Sequence, residues 1–133
     1  MKGRKRHVLV DTQGLLLGVH VTAASVQDRR GAQQLLQRYR SVYPGLQLIW
    51  VDRNYSGLFP AWAWNFQQLA VEVVVPVRDA GRYSPRRWVV ERTFAWLGKA
   101  RRLSKDYEWL PQTSENWIYL VGLRLMLRRL APL

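Results

Sequence analysis

The stretch that decides the fold is RHVLVDTQGLLLGVHVT, residues 6–22. Two apolar runs rich in β-branched residues flank a short polar segment, a pattern typical of two strands joined by a tight turn. We expect strands over 6–11 and 15–22, with Gly14 supplying the backbone freedom that the turn needs. Strands joined in this way run antiparallel. This part of the chain is therefore predicted to be a β-hairpin, in which Asp11 serves as an ordinary turn residue.

Helical spacing and short apolar runs alternate after the hairpin. Residues 25–45 predict a helix with Ser25 as its N-cap and with Pro44–Gly45 at its end. The run LQLIWVD, residues 46–52, predicts a strand that is central in its sheet, because both of its faces are apolar. Further helices are predicted over 59–71, 84–102 and 113–133, and a further strand over 71–77.

The helix over 84–102 carries clear boundary signals. Ser84 is expected to cap it, Pro85 suits its first turn, and Gly98 is expected near its end. The element order is thus β-β-α-β-α-β-α-α. This order indicates a mixed α/β layer fold whose sheet has antiparallel and parallel parts.

The composition favours a polyanionic partner. The chain has 133 residues, with 21 Lys and Arg against 9 Asp and Glu, a net charge of +12 and a pI near 11.1. Nucleic acid is the first candidate, and an anionic membrane surface is the alternative. No apolar run approaches the roughly 18 residues that a spanning helix needs. The length suits one domain over 1–133, and the absence of cysteine excludes disulfides and thiolate metal sites.

Carboxylates are the side chains left for demanding chemistry. Neither a Ser-His-Asp spacing nor a glycine-rich phosphate loop is present, and two histidines do not favour a His-rich metal site. His7 and His20 lie within strand segments and are predicted to be structural. Most carboxylates lie in polar or loop-like surroundings, where a solvated surface or a cap is expected. These surface predictions cover Asp28, Asp79, Asp106, Glu108 and Glu115, together with Glu72 at the start of a strand.

Asp52 and Glu91 differ from the other carboxylates. Asp52 ends an apolar strand, and the carboxyl ends of strands face the crevice where α/β folds bind ligands. A turn-capping role is the equal alternative for Asp52. Glu91 lies between WVV and TFAWL in a predicted helix, with Arg87 one turn earlier, so partial burial beside cations is expected. Two such carboxylates among many Arg and Lys residues suit a two-metal site that acts on phosphodiesters.

Three segments of the chain resemble bacterial insertion-sequence transposases of the DDE class. They are KGRKRHVLVDTQGLLLGVHVTAASVQDRRGA, LIWVDRNYSG and PRRWVVERTFAWLGKARRLSKDYE. The resemblance implies an RNase-H-like fold, a mixed five-stranded sheet flanked by helices. It also implies three catalytic carboxylates that hold two Mg²⁺ or Mn²⁺ ions. The implied reaction frees a 3′-hydroxyl at the end of the element, and this hydroxyl then attacks target DNA.

The resemblance carries two of the three carboxylates onto this sequence. The family's second Asp falls on Asp52, and its Glu falls on Glu91. The family's Tyr-x2-Arg-x3-Glu-x6-Lys signature places Arg87 as a phosphate ligand, whereas Tyr83 and Lys99 each stand one residue out of register. The predicted DNA-binding residues are Lys5, Arg6, Arg87, Arg92, Lys99, Arg101 and Arg102.

The family's first Asp lies on a strand that precedes the KGRKRH segment, and the sequence has no counterpart of that strand. Asp11 is not its equivalent. We therefore expect an incomplete catalytic domain that lacks the first strand of the family's sheet. The chain is then either a product joined to an upstream reading frame or a truncated remnant. The alternative function is a catalytically inactive, basic DNA-binding fragment that regulates a full-length transposase.

Double-stranded DNA, at element ends and target, is the expected partner, together with a second copy or an upstream-frame polypeptide. A bacterial cytoplasmic, nucleoid-associated location is expected. A structural RNA-binding protein is the third reading, because the seven tryptophans are able to stack on bases. Most of them lie at helical spacing with other apolar residues, which favours core packing.

Overall fold

The described part of the chain contains two short sheets and four α-helices. The computed structural model describes residues 3–74, 85–100, 103 and 108–130, and of residues 85–88 and 91 it describes the backbone alone. The elements are β1 (Arg4–Val10), β2 (Leu16–Ala23), α1 (Asp28–Tyr39), β3 (Leu48–Val51), a 3-10 turn (Arg53–Tyr55), α2 (Phe59–Gln67), β4 (Ala70–Val73), α3 (Pro85–Gly98) and α4 (Pro111–Leu130). The mixed α/β class is as predicted.

The hairpin forms as the sequence predicts. Strands β1 and β2 pair antiparallel, with His7 opposite His20. The Asp11 carboxylate accepts hydrogen bonds from the backbone N–H groups of Gln13 and Leu15, both at 2.9 Å. Gly14 adopts a φ of +83°, which an L side chain rarely tolerates. Asp11 is therefore the turn residue that its position indicated.

Helix α1 begins later than its sequence signals suggested. Its N-cap is Gln27, whose side chain makes no cap hydrogen bond, so the prediction of Ser25 as N-cap was wrong. The backbone N–H of Val26 donates to the carbonyl of Ala23, and this turn after β2 takes up the residues around Ser25. The helix ends at Tyr39, ahead of the predicted Pro44–Gly45 stop.

Strand β3 has one strand partner in the structure described. It pairs parallel with β4, and the β1–β2 hairpin forms a separate two-stranded sheet. Among the described residues β3 is thus an edge strand, which corrects the expectation that it is central in one mixed sheet. Its apolar character has another origin. Ile49 is buried in a core with α1 and α2, and the other edge of β3 borders a cavity.

Two apolar clusters hold the described elements together. The first joins β2 to the C-terminal part of α3 and to α4, and its buried members are Leu16, Val19, Val21, Leu97, Leu103 and Ile118. The second joins α1, β3 and α2, and its buried members are Ala32, Leu36, Ile49, Phe59, Ala63 and Leu69. Val8 and Val10 pack on the first cluster, and Leu9 packs on the second. Because strand side chains alternate between faces, β1 lies between the two clusters.

Helix α3 is fixed to the turn of the hairpin. It runs from Pro85 to Gly98, as predicted, whereas Ser84 lies outside the described residues. The hydroxyl of Thr93 is buried and donates to the carbonyl of Gly14 at 2.7 Å. The guanidinium groups of Arg92 and Arg129 lie over the Trp96 ring, at 4.7 and 4.8 Å from its centroid.

Within the part of the chain that the structure describes, side chains rather than another strand bond to the outer edge of β2. The N–H of Val19 donates to the Tyr119 hydroxyl, and the N–H of Val21 donates to the carboxylate of Glu115 at 3.0 Å. The hydroxyls of Tyr39 and Tyr43 donate to carbonyls of the same strand. These bonds satisfy backbone groups that a sheet edge otherwise exposes.

Glu115 is not a surface residue, which corrects its sequence prediction. Its side chain is 4% exposed, and it also accepts a hydrogen bond from Arg38 at 2.7 Å. The backbone of β2 and the guanidinium of α1 make this burial possible, because a buried carboxylate needs partners for its lone pairs. Glu72, by contrast, is exposed as predicted.

The tryptophans divide between core and surface. Trp62 and Trp117 pack against the two clusters, as predicted for most of the seven. Trp64 and Trp109 do not, since they are 63% and 90% exposed. No helix among the described residues is long and apolar enough to cross a bilayer.

Candidate functional site

Asp52 stands where a strand gives way to a loop. It follows β3 directly and caps the 3-10 turn, with its Oδ1 accepting the N–H of Asn54 at 2.9 Å. The side chain is half-buried and lines a cavity. The sequence left two alternatives for Asp52, a turn-capping role and a position at the carboxyl end of a strand. The structure contains both features.

The cavity beside Asp52 has a volume of about 230 Å³ and lies between the two sheets. Residues 6–9 of β1 line one side, and residues 49–52 line the other. Helix α1 contributes apolar side chains, and α3 contributes Val90 and Phe94. Asp52 is thus the carboxylate among the described residues that borders this space.

Helix α3 passes the cavity at the turn that contains Glu91. Val90 and Phe94 are four residues apart, so they share a helix face, and both line the cavity with Asp52. The backbone of Glu91 belongs to this helix. Its side chain lies outside the described residues, and so does the side chain of Arg87. The structure therefore brings the backbone segment that contains Glu91 to the cavity that Asp52 lines.

Tyr55 adds a protonated hydroxyl near Asp52. Burial, together with the negative charges of Asp28 and Asp52, raises the pKa of Tyr55 to about 12. The phenol therefore stays neutral and able to donate a hydrogen bond throughout the physiological range. Sequence analysis did not single out Tyr55, although its place three residues after Asp52 was the available signal.

His7 forms part of the cavity wall and has a structural role, as predicted. Its Nε2 lies 3.0 Å from the Thr22 hydroxyl. Burial lowers the pKa of His7, an effect partly offset by the negative charge of Asp28. The ring is thus held neutral within the fold, which suits a buried hydrogen-bonding group.

The described part of the chain contains no cluster of three or more His, Cys, Asp or Glu side chains able to hold a metal ion. Asp52 nevertheless fits such a role chemically, because a partly exposed carboxylate at a cavity edge offers the hard oxygen that Mg²⁺ and Mn²⁺ prefer.

Several of the predicted DNA-binding cations make contacts inside the molecule. Lys5 donates to the carbonyl of Val26 and pairs with Asp28, at 2.8 and 2.9 Å. Arg6 donates to the carbonyl of Leu103, and Arg92 donates to that of Gln13. Of the remaining predicted cations, Lys99 is exposed, and Arg87, Arg101 and Arg102 lie outside the described side chains.

Two exposed arginines that sequence analysis did not single out flank the Asp52 loop. Arg53 follows Asp52 directly, and Arg29 comes from the start of α1. The Nη1 of Arg29 lies 3.0 Å from the point where a Cβ on Gly57 would stand. Arg53 could have been noticed in the sequence, because it belongs to the RNYSG loop that follows Asp52. Arg29 is distant in sequence and reaches this loop through the contact of α1 with the 3-10 turn.

Comparison with known proteins identifies the family of the chain. Two family models described as "Transposase DDE domain" match residues 1–80 and 49–128. A curated protein of Burkholderia cepacia, "Putative transposase for insertion sequence element IS402", is 32% identical over 122 residues. That match covers 80% of this chain, and the chain spans 54% of that relative's length. No solved structure matches. Because each of these two family models covers more than half of its residues, the chain belongs to the DDE-class transposases of insertion sequences.

Proposed function

We propose that this chain provides Asp52 and Glu91 to a transposase site that cleaves DNA strands and transfers them during transposition. The observation that carries the proposal is the meeting of two elements at one cavity. Asp52 at the carboxyl end of β3 lines it, and so do Val90 and Phe94 on either side of Glu91 in α3. By resemblance, Asp52 and Glu91 correspond to the second and third catalytic carboxylates of the family.

The fold supports an RNase-H-like domain with an incomplete sheet. An antiparallel hairpin is followed by a helix and then by a parallel strand pair joined through α2. Helices α1 and α3 both contact β1, and α3 also contacts β3. This arrangement agrees with a mixed sheet flanked by helices that lacks one strand, in a single catalytic domain over 1–133.

Asp52 and Glu91 would hold the divalent ions of this site. When bound, such ions activate the attacking oxygen and stabilise the leaving oxygen of the phosphodiester. The chain's own part is to hold the ligands in place. The Asn54 N–H fixes one Asp52 oxygen at 2.9 Å, and Tyr55 supplies a neutral donor beside the cavity.

Exposed Arg and Lys side chains near the site would bind the phosphates of the DNA. Arg29 and Arg53 are exposed on either side of the Asp52 loop, where they are available to bind phosphates next to the reacting bond. Arg87 on α3 and Lys99, directly after the end of that helix, are further phosphate ligands. Three other cations are weaker candidates for phosphate contacts, because their side chains already donate hydrogen bonds within the fold. They are Lys5, Arg6 and Arg92.

Strand cleavage by the purified chain, with and without the polypeptide encoded upstream, tests the proposal. The substrate is a supercoiled plasmid that carries the native element, incubated with Mg²⁺ or Mn²⁺. We expect Asp52→Asn and Glu91→Gln each to abolish metal-dependent nicking while DNA binding persists. Glu72→Gln is the matched control, because Glu72 is an exposed carboxylate on the neighbouring strand. Nicking that survives in the Asp52 or Glu91 variant would refute the assignment.

A second candidate function is DNA binding without catalysis, as a regulator of a full-length transposase. It is favoured by the net charge of +12, which suits a polyanionic partner without requiring catalysis. The same assay separates the two functions. Tight, salt-sensitive DNA binding without nicking, even when the upstream polypeptide is present, would support regulation and exclude catalysis.

A further inference from the structure

Helix α4 carries apolar residues on two opposite faces. Its inner face packs on the first apolar cluster, in which Ile118 is fully buried and Leu125 is partly buried. Residues two apart along a helix point in nearly opposite directions, because one turn contains 3.6 residues. Leu120 and Leu127 therefore lie on the outer face, and both are exposed. A helix that is apolar on all sides is typical of a buried position.

The exposed leucines of the outer face are regularly spaced. They form a leucine seam that comprises Leu120, Leu123, Leu127 and Leu130, with exposed fractions between 52% and 83%. The steps of three, four and three residues are those between the a and d positions of a heptad. Side chains at this spacing pack as knobs into the holes of one facing helix. The seam therefore has the pattern of a helix-binding surface.

A facing helix suits the seam better than nucleic acid or lipid does. Phosphates and flat bases offer no holes into which regularly spaced leucines could pack. A helix that lies in a membrane interface combines a broad apolar face with a free polar face rich in cations. The face of α4 opposite the seam instead packs on the protein core. What α4 presents is thus a narrow apolar stripe, the width that one helix covers.

One side of the leucine seam carries cations. Arg124 and Arg128 follow Leu123 and Leu127 directly along the chain, and both are exposed. Arg124 occupies the e position of the heptad, from which a side chain reaches the flank of a partner helix. The acidic residue of α4 is Glu115, which is buried and bonded to β2, so it does not offset these charges. Carboxylates beside the apolar stripe of a partner helix would complement this rim.

A second copy of the chain is a poorer match for the same surface. Each copy carries a net charge of +12, which opposes self-association. Two paired α4 helices would also add their cationic rims together. Neither helix would offer an exposed carboxylate to Arg124 of the other, because Glu115 is buried. The charges therefore favour a partner of opposite sign.

We infer that the leucine seam of α4 is a docking surface for one amphipathic helix of another protein. The partner helix has leucine or similar residues along one stripe and Glu or Asp residues beside it. It packs along Leu120–Leu130 with its carboxylates next to Arg124. The surface belongs to α4, whereas Asp52 lines the cavity between the two sheets, so the inference does not rest on the proposed catalysis.

An acidic synthetic helix tests the surface. The probe is a fluorescently labelled peptide of three Glu-Leu-Ala-Ala-Leu-Glu-Gln repeats, which places leucine at a and d and glutamate at e and g. Fluorescence anisotropy measures its binding to the whole chain. One control peptide has Lys in place of every Glu, and another has Ala in place of every Leu. We expect the acidic peptide to bind and each control to bind at least tenfold more weakly, that is, with roughly 1.4 kcal/mol or more of lost affinity.

Matched substitutions in the chain locate the contact. Leu123→Gln changes the centre of the seam, and Leu58→Gln makes the same change at an exposed leucine that precedes α2. We expect the first to weaken binding of the acidic peptide by roughly tenfold and the second to leave it unchanged. Arg124→Glu should weaken binding of the acidic peptide and strengthen binding of the Lys-containing peptide. Loss of folding cannot produce that reversal.

Two further measurements separate the other occupants. Sedimentation of the free chain detects a dimer, and flotation with phosphatidylserine vesicles detects lipid binding. A dimer or vesicle binding that is lost in Leu123→Gln would overturn the inference, because a second copy or a lipid surface would then cover the seam. Equal binding of the acidic and basic peptides, or unchanged binding by Leu123→Gln, would overturn it as well. DNA is absent from these measurements, so failure of docking and failure of the proposed catalysis are distinguishable.

Discussion

Gly31 shows how one residue is fixed by a distant neighbour. It lies in the first turn of α1, where glycine normally costs about 0.5–1 kcal/mol relative to alanine. A Cβ at this position would collide with the imidazole of His7. That ring has little freedom to move, because it is buried and bonded to Thr22. Glycine is needed here for space rather than for backbone freedom.

We therefore expect Gly31→Ala to destabilise the protein by about 1–3 kcal/mol, as overpacking does. Gly45→Ala is the control, since nothing lies within 4 Å of its added Cβ, and it should change stability by less than about 0.5 kcal/mol. Urea unfolding measures both variants. The double variant His7→Ala/Gly31→Ala should lose less than the sum of the single changes. A stabilising Gly31→Ala would contradict the contact.

His7 should also make stability depend on pH. Burial lowers the pKa of His7 from its ordinary 6.5; the charges of His20 and Lys5 act in the same direction, and Asp28 opposes them. The unfolded chain therefore takes up the proton more readily than the folded chain. The contribution of His7 is complete above pH 6.5 and is lost as the pH falls below it.

We expect the urea concentration at the midpoint of unfolding to be lower at pH 5.5 than at pH 7.5. The His7→Gln variant should show a smaller difference between these two midpoints. NMR titration of the His7 ring in the folded protein provides the direct measurement. Its midpoint should lie below 6.5. A midpoint at or above 6.5 would mean that burial does not control this group.

At the scale of elements, Glu115 joins α4 to β2 and α1. Its carboxylate accepts hydrogen bonds from the Val21 N–H and from the Arg38 guanidinium. The hydrogen bond to Glu115 is the main cause that raises the pKa of Arg38. Arg38 is 47% exposed, so water screens the ion pair and the buried bond to Val21 dominates. Removing the carboxylate leaves that buried N–H without an acceptor.

Glu115→Ala should cost about 1–3 kcal/mol of unfolding free energy, which is typical for an orphaned buried group. Glu115→Gln keeps an acceptor for the Val21 N–H and should cost less. Glu72→Ala, at an exposed position, should stay within about 0.5 kcal/mol of the parent. Chemical denaturation compares the three variants. Equal losses for Glu115→Ala and Glu72→Ala would show that the carboxylate does not anchor α4.

At the scale of the whole molecule, the net charge of +12 governs the response to salt. Each phosphate contact contributes a slope of about −0.9 to the dependence of log binding constant on log salt for duplex DNA. Arg53→Ala and Arg29→Ala should each reduce the slope by roughly one unit. Arg128→Ala, an exposed change on α4, is the charge-matched control and should leave the slope unchanged. A 30-base-pair duplex followed by fluorescence anisotropy gives these slopes, and equal effects at all three positions would refute a DNA face at the Asp52 loop.

Short-range chemistry explains what the sequence predicted well. The hairpin follows from two apolar runs on either side of a short polar turn with Gly14, and α3 follows from Pro85 and Gly98. In each case the deciding groups are neighbours along the chain. Membership of the transposase family can also be recognised from the sequence, because it depends on the order of residues along the chain. Asp52 could be picked out for the same reason, as the acidic residue that ends an apolar strand.

What only the tertiary structure decided depends on groups far apart in sequence. Glu115 looks like a surface residue until Val21, 94 positions away, donates to it. Arg6 and Arg92 look in the sequence like cations available to DNA, but in the structure their guanidinium groups donate hydrogen bonds to distant backbone carbonyls. Strands β1 and β3 belong to separate two-stranded sheets among the described residues, and both border one cavity. Local pattern determines which elements form, whereas burial and edge pairing depend on which elements meet, and no short stretch of sequence contains that information.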